Sequence, residues 1–148
     1  MTLNVAARRP ARVLGLAGLI PFVALTVALY AEGPRDRIAL AQLAYGATIV
    51  SFIGALHWGL AMRERKLDET AQWRALGWGV VPSLVAWCAL LLPLPAGLWL
   101  LAALVPVCGW MDARLSRELS LESWFMRLRT LLSGAVTLCL VLSARVAG

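Results

Sequence analysis

His57 is the only histidine in 148 residues and stands inside an uncharged run, Ile38–Met62. An ionisable side chain within so apolar a stretch is costly to bury and normally faces the interior of a helical bundle. Three more charged groups border other apolar runs: Asp112 follows Ala96–Met111, while Arg127 and Arg129 lead into Thr130–Ala144. With Trp58 beside the histidine, these are the candidate ligand-binding residues. Guanidinium groups donate to an anionic or quinone-like head group, and a His–Asp pair is a tunable proton carrier. A plainer reading of the same residues is structural. His57 then donates one hydrogen bond to a neighbouring carbonyl, and Asp112 and Arg129 form an ion pair that holds two helix ends together.

The surroundings of His57 allow either role. At 100° per residue, Gly54 and Gly46 share its face, leaving room for another helix or a flat ligand to approach the backbone. Nothing else in the sequence points to chemistry. A single histidine cannot supply two imidazoles to a haem within one chain. No G-x-S-x-G, Walker loop or H-E-x-x-H occurs, so no catalytic residue, metal site or cofactor is expected. Cys88, Cys108 and Cys139 form no C-x-x-C pair and read as small buried hydrophobes.

Those residues must be positioned by membrane helices. Hydrophobic residues make up 61% of the chain and charged residues 15%, well below the roughly 25% charged of a soluble domain. Five uncharged runs, Val13–Ala31, Ile38–Met62, Ala75–Leu92, Ala96–Met111 and Thr130–Ala144, divide it. The fold class is therefore all-α: an integral membrane bundle of five transmembrane helices, over about 13–31, 38–62, 75–92, 96–111 and 126–146, in a single domain covering 1–148. The first run exceeds the length of a signal-peptide core and reads as a retained helix. The shorter third and fourth runs, joined by Pro93-Leu94-Pro95, are two crossings or a re-entrant hairpin. Pro21, Pro82 and Pro106 fall within helices and are expected to kink them.

Charge orients the bundle. Of fourteen basic residues, Arg8, Arg9, Arg12, Arg63, Arg65, Lys66, Arg74, Arg114, Arg117, Arg127 and Arg129 share one side, and only Arg35, Arg37 and Arg145 reach the other. Positive residues near helix ends stay cytoplasmic, so the N-terminus is expected inside and the C-terminus outside. The net charge of +6 is then a collar against anionic lipid, with no role in nucleic-acid binding. Trp73, Trp78, Trp110 and Trp124 fall near the same inner surface as an aromatic belt. Ser120 is a candidate helix cap with Glu122 in the first turn. His57, Asp112, Arg127 and Arg129 share that depth.

Several stretches carry a family resemblance. Gly18-Leu19-Ile20-Pro21-Phe22, Tyr45-Gly46-Ala47, Ser51-Phe52-Ile53-Gly54-Ala55-Leu56-His57-Trp58-Gly59, Val81-Pro82-Ser83-Leu84-Val85-Ala86-Trp87 and Trp124-Phe125-Met126-Arg127-Leu128-Arg129 follow one pattern in order. The pattern resembles a small multi-span family of unknown function that includes mitochondrial transmembrane protein 69. This chain has Gly-Ala-Leu-His-Trp where members often have Gly-Gly-x-His-Trp. The resemblance implies a multi-pass protein of the bacterial or mitochondrial inner membrane and carries no established activity. The function read from the sequence is a non-catalytic scaffold or assembly partner, acting with another membrane protein or as a homodimer; the alternative is a binder or carrier of a lipid-soluble quinone, lipid or porphyrin at the inner-leaflet His57, Asp112 and Arg129 cluster.

Overall fold

The computed structural model describes residues 5–31, 33–63, 68–115 and 122–147. They form α1 (Val5–Ala17), α2 (Leu19–Tyr30), α3 (Arg35–Arg63), α4 (Glu69–Leu91), α5 (Leu94–Leu115) and α6 (Ser123–Ala147), with no strand among the described residues. The first two run on as a single apolar stretch, so five helical spans are long and apolar enough to cross a membrane. The expected all-α transmembrane class holds. Glu32, Arg65, Lys66, Arg117 and the expected cap Ser120 lie outside the described residues.

The helices extend beyond the apolar runs. The first begins at Val5 and carries Arg8, Arg9 and Arg12, and α5 continues past Asp112 to Leu115. Hydropathy marks where lipid contact ends, whereas helical hydrogen bonding continues wherever the backbone can form it. Asp68 caps α4 by accepting a hydrogen bond from the Ala71 amide at 2.7 Å. With 23 and 22 residues, α4 and α5 reach roughly 33–35 Å at about 1.5 Å per residue. That is enough for two full crossings of a core about 30 Å thick.

The hydrogen-bond ladder of the first span is interrupted around Gly18, three positions before Pro21. The proline ring collides with the carbonyl four residues back, at Ala17, and offers it no N–H. The backbone stays helical through Gly18 (φ −61°, ψ −16°), whose amide bonds the Leu14 carbonyl at 3.0 Å, and what is lost is the bond that Pro21 has no N–H to give Ala17. Tyr45 on α3 donates to the Gly18 carbonyl at 3.0 Å and ties this joint to the bundle. Pro82 and Pro106, by contrast, sit within uninterrupted helices.

The third helix is the centre of the bundle and touches α2, α4, α5 and α6. Its Leu43 and Val50 join Phe22, Leu98, Leu101 and Leu140 in the buried core. Leu84, Trp87, Leu131 and Leu138 are exposed on the outer surface, where lipid is their solvent. The α3–α4 crossing is closest at two glycines. A Cβ on Gly54 would run into the Gly79 carbonyl, and one on Gly79 would strike the Trp58 ring. The two backbones are therefore in direct contact.

Candidate functional site

Three helices bring His57, Asp112 and Arg129 together. Asp112, near the end of α5, lies between the other two: Arg129 Nε donates to its Oδ2 at 2.6 Å, and His57 Nε2 stands 2.9 Å from its Oδ1. The histidine's other nitrogen, Nδ1, is 3.3 Å from the Ile53 carbonyl one turn earlier in α3. Relative exposures of 4%, 3% and 8% for His57, Asp112 and Arg129 put all three in the interior. Both neighbours of the imidazole are acceptors, so the ring serves as a donor to whichever one it is protonated toward. The cluster couples α3, α5 and α6 in one contact, and a buried charge is tolerable because a counter-charge adjoins it.

The other two candidates stand apart. Trp58 is 43% exposed and turns toward α4, where its Nε1 donates to the Leu76 carbonyl at 2.9 Å. It packs over Gly79 and belongs to the helix crossing. Arg127 is exposed, two positions around α6 from Arg129. The open face expected beside His57 is taken up by helices: Gly54 meets α4, and Gly46 lies against Leu101, Leu140 and Phe22. Trp73 and Trp110 are exposed, and Arg114 lies over the Trp110 ring at 4.4 Å. Trp124 is buried and donates to Glu122 at 2.6 Å, and Arg8 pairs with the same carboxylate at 3.1 Å.

Beside the cluster is a cavity of about 370 Å³ between α1, α2, α3 and α6, with Val105 of α5 also in its wall. Almost every lining group is apolar; Arg129 and Ser133 are the exceptions. Leu14 and Phe52 line it and are also exposed on the outer surface, so the cavity opens sideways toward lipid. Arg129 Nη2 and Ser133 Oγ are buried and have no hydrogen-bond partner among the described residues, and the same holds for Nε1 of Trp78, on α4. Ser133 was not evident from the sequence. Its only signal is the spacing of four from Arg129, which sets both on one face of α6.

A helical transmembrane protein with a buried His–Asp–Arg cluster is the class that fold and site define. The chain belongs to the family described as "Protein of unknown function (DUF3429)", matched over residues 7–145. Among curated proteins it is similar to Transmembrane protein 69 of Xenopus tropicalis, 38% identical over 140 residues that cover 91% of this chain and 53% of the relative. Transmembrane protein 69 of Mus musculus is 32% identical over 84 residues, 56% of this chain and 34% of the relative. The chain thus spans about half the length of the frog relative and about a third of the mouse one. No solved structure matches it.

Proposed function

We propose that this protein is a non-catalytic membrane-embedded binder or carrier of a small lipid-soluble molecule. The observation that carries this reading is the lipid-facing cavity of about 370 Å³ with Arg129 and Ser133 as its polar wall. Small-molecule sites are mostly apolar, with few placed polar groups and volumes from about 300 to 1,000 Å³. Arg129 is the direct contact in this reading. Asp112 and His57 act behind it, holding the guanidinium in place. Trp58 and Arg127 have no part in binding.

A scaffold or assembly role, with a partner membrane protein or a second copy, is the other reading. It is favoured by the mutual pairing of His57, Asp112 and Arg129, which makes the cluster a lock between helices. Mass spectrometry of the organic extract from purified protein separates the two. Wild type is compared with His57→Ala and with Ser133→Phe, which adds a ring at the cavity wall, after circular dichroism has shown both variants helical. A stoichiometric molecule lost from Ser133→Phe supports the binder. Identical bilayer lipid in all three samples returns the scaffold.

The proposal includes a place and an orientation: a bacterial inner membrane, or the mitochondrial one in a eukaryote, with the N-terminus inside and the C-terminus outside. The eleven-to-three division of basic residues supports the orientation. A reporter active only in the cytoplasm, fused after Gly148, is expected to be silent; activity there overturns it.

A further inference from the structure

Resting on the binder reading, we infer the ligand's chemical class: an uncharged, single-chain amphiphile whose head group presents a carbonyl oxygen as hydrogen-bond acceptor. Three observations lead to it, concerning size, donors and charge.

The cavity sets the size. A void of about 150 Å³ holds benzene, so about 370 Å³ takes about fifteen non-hydrogen atoms by the same proportion. A two-chain phospholipid is far too large, whereas one chain, or a ring with a short chain, fits. The shape agrees. The α6 residues in the wall run from Phe125 to Val136, about 16 Å along the helix at about 1.5 Å per residue. The opening past Leu14 and Phe52 gives such a molecule a route from the bilayer.

Donors set the kind of head group. Arg129 Nη2 can only donate, and Ser133 Oγ can donate one turn further along the same helix face. Buried polar atoms are nearly always paired in folded proteins, and a carbonyl oxygen, with two lone pairs, matches two donors. Both atoms are covered by their neighbours in this structure, so engagement requires a side-chain rotation of the kind common on binding.

Charge excludes a carboxylate or phosphate. The positive charge of Arg129 is already matched by Asp112 at 2.6 Å. His57 does not line the cavity, and its Nε2 faces Asp112. Arg127 is exposed on another side of α6. An anion entering here would be an uncompensated charge in a medium of low polarity. A neutral carbonyl has no such cost.

An acyl ester and a quinone share this chemistry, and one titration separates them. The detergent-solubilised full chain is titrated with methyl dodecanoate, a heptyl-substituted benzoquinone, dodecanoate and pentadecane, and complexes are read by native mass spectrometry. The ester or the quinone is expected to bind at least about tenfold more tightly than the alkane and the carboxylate, and the tighter of the two names the source. Ser133→Ala should weaken that binding about fivefold, the worth of one hydrogen bond, and leave pentadecane unchanged. Dodecanoate binding as tightly as its ester overturns the inference and spares the binder reading, as does pentadecane matching the ester. If no probe binds, pentadecane included, the binder reading itself fails.

Discussion

Two polar clusters hold the interior of this bundle, and they solve the same problem differently. Near the N-terminal end of α6, His57, Asp112 and Arg129 join α3, α5 and α6 through charge. Toward its other end, Gln42 donates to Thr26 at 3.0 Å and to the Phe22 carbonyl at 3.4 Å, while Thr26 and Ser143 share a 3.3 Å bond. That second cluster joins α2, α3 and α6 with neutral groups only. Each leaves an atom without a partner among the described residues, Gln42 Oε1 in the neutral one and Arg129 Nη2 in the ionic one. Only the ionic cluster reaches the cavity, because Arg129 is in its wall and none of Thr26, Gln42 and Ser143 is. The neutral cluster fixes helix rotation at modest cost. The ionic one places one of its members in the wall of a cavity open to lipid.

Removing the central carboxylate should have the largest effect. Asp112→Ala strands a guanidinium in the interior, and a loss of about 3–5 kcal/mol is expected, visible as a collapse of thermal stability in detergent. Removing both charges should cost much less. Asp112→Leu with Arg129→Met is expected to recover most of the single-variant loss in a double-mutant cycle, yet to weaken ester or quinone binding toward that of the alkane. If stability and binding returned together, the ionic cluster would be no different in kind from the neutral one.

Smaller effects test the other side of the comparison. Gln42→Leu removes the amide of the neutral cluster, but Thr26 and Ser143 can still pair. A loss of about 1 kcal/mol or less is expected, in line with polar contacts inside membranes, with ligand binding unchanged. Thr26→Val should have the least effect, about 0.6 kcal/mol, measured by the same unfolding titration. A larger cost for Gln42→Leu than for Asp112→Ala would reverse the ranking of the two clusters.

These clusters were unequally legible in the sequence. His57, Asp112 and Arg129 stood out because charge in or beside an apolar run is rare, and the back-and-forth threading brought them to one depth. Trp58 and Arg127 had the same depth, but depth says nothing about rotation around a helix axis, and both face elsewhere. Gln42, Thr26 and Ser143 are single polar residues on three helices; their meeting depends on helix packing alone. The cavity was hidden for a further reason. It lies between residues of α1, α2, α3 and α6, from Ala11 to Val136, and an apolar run does not tell which of its side chains will leave space between helices.

The contact between Gly54 and Gly79 has a consequence for how such a protein can change over generations. Any side chain at either position must displace backbone on the facing helix, and glycine has nothing left to trim on the other side. Compensation by a second substitution is therefore closed at this crossing. Lipid-facing positions such as Leu84 and Leu138 accept any apolar residue, so drift should accumulate there. A saturation library scored for membrane abundance is expected to tolerate nearly every apolar exchange at those positions and almost none at 54 and 79.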